Sequence, residues 1–243
     1  MRRIDVRNVG LIGDNEKVSC RAMGEKEMKV IDLYCGIGGA SIGIKMAFPE
    51  ADIWGYDILD YEGIYPFFFH QEDIIQFDKL PEGDFYWASP PCQSYSISTE
   101  KQRRYEGKTY PDLVEFTRET LLQTGKPFVI ENVIGSPLIR EKTTILRGHN
   151  FPDLRDIRRP RKFEVHGFNV PTPPKYDKIF PYYRLISGGG GWIREPDKVK
   201  RMSVKMANER FRVKGRNMWD VAQIVPWQYS YYICKHSGVE IKK

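Results

Sequence analysis

The segment from residue 28 to residue 48 restricts the fold of this chain more than any other. It reads "MKVIDLY", then "CGIGG", then apolar residues at helical spacing until Pro49. An apolar run that ends in glycines is typical of a buried parallel strand, and Ala40 and Ile44 follow the period of a helix. The segment therefore predicts a strand, a glycine-rich turn and a helix in direct succession.

Other segments repeat this alternation. Strands are predicted at "ADIWGYDI" (51–58), "DFYWAS" (84–89) and "PFVIEN" (127–132), and a helix is predicted to begin with Pro111 in its first turn and to stop at Gly125. Such alternation predicts an α/β fold with a mostly parallel sheet. Ligands of these sheets bind at the carboxyl ends of the strands. The polar residues expected at that edge are Asp32, Gly36, Asp57, Cys92 and Glu131.

The alternation stops near residue 165, and the chain divides into four predicted parts. Residues 1–27 are a polar extension, 28–165 the core, 166–214 a small variable region, and 215–243 a segment whose helix starts at Pro226 and returns to the core. Loop signals in the variable region include four successive glycines from Gly188 to Gly191.

Composition limits the classes of function. The chain of 243 residues has a net charge of +6 and a pI near 9.0, which fits an anionic partner without identifying it as nucleic acid. No apolar run reaches the length that crosses a membrane, and the N-terminus lacks the apolar core of a signal peptide, so a cytoplasmic location is expected. Four scattered cysteines without a C-x-x-C pair predict neither a metal site nor a disulfide framework.

Two sites carry candidate chemistry. The turn "DLYCGIGGASIG" could hold a dinucleotide, a nucleotide or S-adenosylmethionine, with Asp57 accepting hydrogen bonds from a ribose. Asp73 is equally a ligand residue or a solvated turn carboxylate. In "SPPCQS", Cys92 is either a packed cysteine or a nucleophile, and Glu131 beside it, if desolvated, would hold a proton that it can donate. A thiol and a carboxylic acid near a cofactor loop suit attack on an electron-poor ring.

Taken together, "DLYCGIGG", "PPCQSYS", "ENV" and "RRPRKFE", with the closing helix "VPWQYSYYI", resemble the motifs of the DNA (cytosine-5)-methyltransferases, especially the short forms of bacteriophages and mobile elements. The resemblance covers about residues 29–165 and 217–233. It implies a Rossmann-like S-adenosylmethionine-dependent methyltransferase fold with helices on both faces of the sheet, base flipping, a variable target-recognition region, double-stranded DNA as partner, a monomer, and in this family often a restriction-modification system.

The resemblance also implies residue roles. Cys92 would attack carbon 6 of cytosine, and Glu131 would bind the base. Arg159 and Arg161 would position the base and the catalytic loop. The residues implied in cofactor binding are Asp32, Leu33, Tyr34, Cys35, Gly36, Gly38, Gly39, Asp57, Ile58, Asp73, Ile74, Ser89 and Pro90. Those implied in substrate binding are Pro91, Gln93, Ser94, Ser96, Asn132, Lys101, Arg103 and Arg104.

Residues 93–110 have the polar, basic composition and the length of a lid, and we predict that they close over a flipped base, with Lys101, Arg103 and Arg104 on phosphates. The chain departs from the family at Ile157, where a glutamine often precedes the arginine pair. Trp192 and the basic run after it are predicted to contact DNA. A bacterial, archaeal or virus-infected host cell is the expected location.

Three alternatives remain open. Methylation of RNA would use the same base chemistry, and a catalytically silent nucleic-acid-binding protein would keep the fold without needing Cys92 and Glu131. An enzyme that modifies free nucleotides would have no use for the basic segment.

Overall fold

The four predicted strands lie in one sheet of a computed structural model, which describes residues 28–178, 182–184 and 199–239. The sheet has seven strands in the order β3-β2-β1-β4-β5-β7-β6. The strands are β1 (Lys29–Leu33), β2 (Asp52–Asp57), β3 (Phe68–Gln71), β4 (Phe85–Ala88), β5 (Phe128–Asn132), β6 (Thr143–Leu146) and β7 (Arg161–His166).

The first five strands are parallel to one another, whereas β7 runs antiparallel to both β5 and β6. The predicted α/β class with a mostly parallel sheet is confirmed. Helices pack on both faces: α1 (Gly39–Ala47) and α6 (Trp227–Lys235) on one, and α3 (Val114–Leu122) on the other. Side chains alternate between the faces as the pleat requires, so that Val30 meets the first group of helices and Ile31 meets α3.

The start of α3 corrects a prediction. The helix begins at Val114, and Pro111 is not in its first turn. The Asp112 carboxylate accepts the backbone N–H of Val114, so the helical turn starts only after Asp112. The predicted start of the last helix is confirmed, since Pro226 is the N-cap of α6.

Helices α1 and α6 approach each other at backbone distance. A Cβ at Gly43 would lie 2.0 Å from the carbonyl oxygen of Trp227, so only glycine fits there. The Ser230 hydroxyl donates to the carbonyl of Ala40 at 2.7 Å across the same contact. The C-terminal helix is thereby fixed behind the glycine-rich turn.

Helix α2 (Glu100–Tyr105) lies in the lid segment, between β4 and α3. The elements between β7 and α6 are a two-stranded sheet of β8 (Tyr182–Arg184) and β9 (Val199–Arg201), and the helices α4 (Val204–Phe211) and α5 (Met218–Ala222). Ala207 and Phe211 of α4 join the same apolar cluster as α1 and α6. The four-part division of the chain stays a prediction, and residues 1–27, Gly188–Gly191 and Trp192 lie outside the described residues.

A buried ion pair ties α3 to β7. The guanidinium of Arg118 donates to both carboxylate oxygens of Glu164, at 2.8 and 2.9 Å, and Glu164 is fully buried. His166 Nε2 and the backbone N–H of Ile139 also contact that carboxylate, each at 2.8 Å. Burial alone would raise the pKa of Glu164, but the hydrogen bonds from Arg118 and His166 hold it below its ordinary value.

We expect Glu164→Gln to lower the free energy of unfolding by roughly 3 kcal/mol, because it leaves a buried guanidinium without its charged partner. Glu115→Gln is the matched control, since Glu115 pairs with the same arginine but its side chain is 71% exposed; it should change stability by less than about 1 kcal/mol. Urea unfolding at neutral pH measures both. Equal losses in the two variants would contradict the prediction.

Candidate active site

The predicted polar residues gather where the strand order changes direction. Strands β1 and β4 are neighbours, and from them the chain proceeds to opposite sides of the sheet, through β2 and through β5. Such a switch point leaves a crevice at the carboxyl ends of the strands. Asp57 ends β2, Glu131 lies near the end of β5, and Cys92 follows β4.

The glycine-rich turn after β1 uses three left-handed residues. Tyr34, Gly36 and Gly38 have φ angles of 56°, 52° and 82°. The carboxylate of Asp57 accepts the N–H of Gly36 at 2.9 Å, which binds the turn to the end of β2. A Cβ placed on Gly36 would meet nothing within 4 Å, so this side of the turn is open. Space for a ligand therefore lies against the backbone of the turn.

The crevice continues along β2 and beyond β3. Asp57 also accepts the N–H of Leu59 at 3.0 Å, and burial raises its pKa. Ile58 next to it is 60% exposed, which leaves an apolar surface beside the carboxylate. Asp73 caps a short 3₁₀ turn by accepting the N–H of Ile75 at 3.3 Å. That contact gives Asp73 a structural role, and its part in cofactor binding stays a prediction.

Asp32 lies behind the turn rather than on its open side. It is 1% exposed, and one carboxylate oxygen accepts the hydroxyl of Ser41, which also contacts the hydroxyl of Tyr65 at 2.6 Å. The other oxygen, Oδ1, has no hydrogen-bond partner among the described residues. Burial raises the pKa of Asp32 to about 7. Sequence reasoning missed Ser41 and Tyr65, and the sequence distance of 24 residues between them offers no signal.

The turn that carries Cys92 is held from two sides. The N–H of Ser89 donates to the carbonyl of Leu33 at 3.0 Å, and the amide of Asn132 donates to the carbonyl of Pro90 at 3.0 Å. After Cys92 the chain makes one tight turn, because its carbonyl accepts the N–H of Ser96 at 2.9 Å. Asn132 is 1% exposed and therefore acts on the turn; its predicted contact with substrate stays a prediction.

Glu131 forms an ion pair with the second arginine of the motif. Arg161 Nε lies 2.7 Å from Glu131 Oε1, but its N–H is not directed at that oxygen, so Oε1 accepts no hydrogen bond within the described part of the chain. Burial raises the pKa of Glu131, while Arg161, Arg159 and the Ser89 hydroxyl oppose that rise. The site thus contains a buried carboxyl group that holds a proton more readily than usual and has an unused oxygen.

The thiol of Cys92 shares this electrostatic environment. Burial raises its pKa and Glu131 adds to the rise, whereas the positive charges of Arg161 and Arg159 lower it. Cys92, Glu131, Arg159 and Arg161 are therefore close enough to act on one another electrostatically, and their joint role in catalysis stays a prediction. The two arginines thus favour the thiolate but do not outweigh the effect of burial.

Arg159 is fixed by the C-terminal segment. It is buried and donates to the carbonyls of Ile224 and Ala222, each at 2.6 Å, while its own carbonyl accepts the hydroxyl of Tyr229 at 2.8 Å. Although burial lowers its pKa to about 9, the guanidinium stays protonated at neutral pH. The sequence indicated Tyr229 only as an apolar helix position.

The lid segment is folded on itself. Arg103 donates to the carbonyls of Gln93 and Ser96 at 2.5 and 2.9 Å and to the hydroxyl of Thr99 at 2.6 Å. In this arrangement the guanidinium of Arg103 connects three residues of the lid segment by hydrogen bonds. It does not point to solvent as a phosphate ligand would. Lys101 and Arg104 are exposed, and Arg104 pairs with Glu100 at 3.3 Å. Phosphate contacts by these three residues stay a prediction.

The other predicted residues divide by exposure. Those buried at the crevice edge are Leu33, Cys35, Gly38, Gly39, Ile74 and Pro90. Those partly exposed are Tyr34, Ser89, Pro91, Gln93, Ser94 and Ser96. Within the described ranges, no group of three or more His, Cys, Asp or Glu side chains could hold a metal ion, and no helix is long and apolar enough to cross a bilayer.

Comparison with known proteins finds a matching family model and similar proteins. Residues 28–145 match the family model described as C-5 cytosine-specific DNA methylase. The Type II methyltransferase M.HgiCI of Herpetosiphon aurantiacus is 35% identical over 119 residues, covering 44% of this chain and 28% of that protein. The Type II methyltransferase M.HaeII of Haemophilus aegyptius is 28% identical over 171 residues, covering 64% of this chain and 50% of that protein. The matches thus span half or less of these relatives' length.

Among solved structures, the Dnmt2 methyltransferase of S. pombe is similar to this chain at 20% identity with a TM-score of 0.39. The likeness covers 58% of this chain and 49% of that one.

Proposed function

Because residues 28–145 match the family model described as C-5 cytosine-specific DNA methylase, we propose that this protein transfers a methyl group from S-adenosylmethionine to carbon 5 of cytosine in double-stranded DNA. The observation that carries the proposal is the joint placement of Cys92, Glu131, Arg159 and Arg161 beside the open glycine turn.

The residues around the turn fit S-adenosylmethionine. The open side of Gly36 admits a ligand against the backbone, Asp57 can accept hydrogen bonds from a ribose, and exposed Ile58 offers an apolar surface for a base. When bound, the cofactor supplies a methyl group on a positively charged sulfur.

Carbon 5 of cytosine is a weak nucleophile, and the site is suited to activate it by covalent addition. The thiolate of Cys92 forms a bond to carbon 6. The electron pair of the 5,6 double bond shifts towards carbon 4, and negative charge accumulates on N3. Burial raises the pKa of Glu131, so this carboxyl group is suited to donate a proton to N3, where that electron density accumulates. Carbon 5 is then electron-rich.

The cycle closes by elimination. As carbon 5 takes the methyl group, N3 returns its proton to Glu131. A base then removes the proton from carbon 5, the 5,6 double bond re-forms, and the sulfur of Cys92 leaves carbon 6 as thiolate. Arg161 serves both stages, since its charge stabilises the thiolate that enters and the thiolate that leaves. Arg159, held by two backbone carbonyls, adds a second fixed positive charge.

A cytosine inside a duplex must be flipped out to reach Cys92, at a cost of a few kcal/mol. The lid segment 93–110 follows Cys92 directly and can cover the extruded base. A silent binding protein would not need the ion pair of Arg161 with Glu131 beside a thiol, and we therefore place catalysis first.

Incubation with methyl-labelled S-adenosylmethionine should transfer label to duplex DNA of mixed sequence, and nucleoside analysis should find 5-methylcytosine. Label on RNA alone would replace the proposed substrate. No label on DNA, RNA or free nucleotides, from protein that binds the cofactor, would contradict catalysis.

A further inference from the structure

The loop that follows Glu131 and Asn132 is held by charged side chains whose role the proposed chemistry does not explain. This clamped loop (residues 133–139) leads from β5 to the short helical turn before β6 and is itself built from turns and bends. Four successive peptide groups, from Ser136 to Ile139, bind charged groups of α3 and β7. Loops are ordinarily the most mobile parts of a fold. A loop fixed at four consecutive peptide groups therefore has a shape that the fold maintains.

Lys162 of β7 supplies two of these contacts. It pairs with Asn132 in the register of β7 with β5, so it lies beside the strand end from which the loop departs. Its ammonium group donates to the carbonyls of Ser136 and Leu138, at 3.0 and 3.1 Å. The motif resemblance gives a role to its neighbour Arg161 but none to Lys162.

The other two contacts come from the ion pair between Arg118 and Glu164. Arg118 donates to the carbonyl of Pro137 at 3.1 Å, and the Glu164 carboxylate accepts the N–H of Ile139 at 2.8 Å. Both residues are buried and also connect α3 to β7, so replacing either would disturb the packing as well as the loop. Lys162 is only partly buried, and its ammonium group contacts the loop. A change at Lys162 therefore separates a role of the loop from a role in folding.

The clamped loop lies against the turn that carries Cys92. A Cβ placed on Gly135 would be 3.1 Å from the carbonyl oxygen of Tyr95, so the two backbones are in contact. Leu138 is buried in the apolar cluster against which the Tyr95 side chain packs. The N–H groups of Tyr95 and Ser96 both donate to the carbonyl of Cys92, at 3.0 and 2.9 Å. The loop, Tyr95 and Cys92 are thus joined by successive contacts.

We propose that Lys162 is a positioning residue, which holds the clamped loop as a support for the Cys92 turn and so fixes the thiol relative to Glu131. This inference rests on the proposed methyl transfer. Glu131 lies on a central strand of the sheet, whereas Cys92 lies on a turn that leads directly into the lid segment. A displacement of about 1 Å at the reacting atoms can cost about 100-fold in rate. A rigid support for that turn therefore favours addition at carbon 6.

The test follows the rate of adduct formation at saturating DNA and cofactor, with a duplex in which 5-fluorocytosine traps the addition product. Lys162→Met keeps the length of the side chain and removes the ammonium group, and we expect the rate to fall roughly 10- to 100-fold. The Kd values for DNA and for S-adenosylmethionine should stay as in the wild type. Lys162→Arg keeps a cationic donor and should restore most of the rate.

Lys45→Met is the matched control. Lys45 of α1 also donates to a backbone carbonyl, that of Ala51 at 2.8 Å, but this contact lies before β2, at the edge of the sheet opposite the crevice. Its rate of adduct formation should equal that of the wild type.

A second readout requires no catalysis. In Lys162→Met, hydrogen exchange of the protein alone should become faster in the clamped loop and also at the amides of Tyr95 and Ser96, because the Cys92 turn loses its support. The midpoint of urea unfolding should stay near that of the wild type. Alkylation of Cys92 by iodoacetamide, followed by mass spectrometry, should keep its pH profile, since the two arginines that act on the thiol stay in place.

Gly135→Ala tests the same contact without a change of charge. Its methyl group would lie 3.1 Å from the Tyr95 carbonyl, so the turn must shift by a few tenths of an ångström. The rate of adduct formation should fall in this variant too. A wild-type rate in Gly135→Ala would show that the position of the turn does not depend on the loop.

Several other results would overturn the inference. Faster exchange confined to the clamped loop would show that the loop does not support the turn. Weaker DNA binding by Lys162→Met would show that the ammonium group contacts DNA, and a shifted alkylation profile would show that it acts on the thiol through its charge. An unchanged adduct rate, or an equal loss in Lys45→Met, also contradicts a positioning role.

Failure of the proposed function would appear differently. If the wild type transfers methyl groups to DNA but Lys162→Met matches it in adduct rate and in exchange, the inference alone fails. If exchange at Tyr95 and Ser96 rises in Lys162→Met but the wild type modifies no cytosine, the proposed chemistry fails, and the support of the turn by Lys162 stands.

Discussion

Cys92→Ser is expected to reduce methyl transfer by at least about 10⁴-fold while DNA binding and cofactor binding persist. A serine hydroxyl is a far weaker nucleophile than a thiol, because a much smaller fraction of it is ionised near neutral pH. The assay follows labelled methyl groups on duplex DNA, with gel retardation as the measure of binding. Cys234→Ala is the control, since this buried cysteine of α6 lies in the core and not in the crevice.

Trapping the covalent intermediate is a second test of Cys92 as the nucleophile. Duplexes that carry 5-fluorocytosine at the target should accumulate a stable protein–DNA adduct, because fluorine at carbon 5 cannot be removed as a proton. The adduct should be absent in Cys92→Ser and present in Cys234→Ala. An active wild-type enzyme that forms no adduct would contradict addition at carbon 6.

The raised pKa of Cys92 predicts how the rate of this reaction changes with pH. Because burial raises the thiol pKa above its ordinary value, the thiolate is the minor form near pH 7 and its fraction grows as pH rises. Adduct formation with the fluorinated duplex should therefore accelerate from pH 7 to pH 9. A rate that is flat across this range would show that the thiol is already deprotonated in the complex.

The sequence predicted the centre of the sheet because parallel strands buried on both faces appear as continuous apolar runs. The segment "MKVIDLY" became β1, and "PFVIEN" became β5, each within two residues of the predicted bounds. The edge strand β6 was not predicted, since three of its four residues are only half-buried and its pattern is that of a loop. Propensity likewise placed the start of α3 too early, because a side-chain contact of Asp112 decides it.

The positions of Cys92 and Glu131 at neighbouring strand ends could be predicted from residue type and strand pattern, and their roles stay predictions. The site was not predictable where a role depends on a distant partner. Arg159 donates to Ile224, 65 residues further along the chain, and nothing local indicates that contact. Asp32 shows the same limit, since a carboxylate at the end of an apolar strand suggests a ligand residue, whereas folding places it behind the turn.

Asp32→Asn is expected to make the protein more stable than the wild type above neutral pH. The free energy of unfolding of the variant minus that of the wild type should rise by about 4 kcal/mol from pH 4 to pH 8. The wild-type carboxyl has a pKa near 3.8 when unfolded and about 7 when folded, so the folded state binds more protons between those values. Wild-type stability from this group is therefore fully present below pH 3.8 and is lost as pH rises to 7. Asparagine keeps the acceptor for Ser41 and removes the titration.

The measurement is the free energy of urea unfolding for both proteins from pH 4 to pH 8, since the difference between them isolates Asp32 from other titrating groups. Asp78→Asn, an exposed carboxylate before β4, is the control for the loss of one negative charge. Parallel curves for Asp32→Asn and wild type would mean that Asp32 is ionised in the fold. If Asp32→Asn gains stability but binds the cofactor more weakly, the buried carboxyl lowers stability in the wild type while it supports the turn that binds the methyl donor.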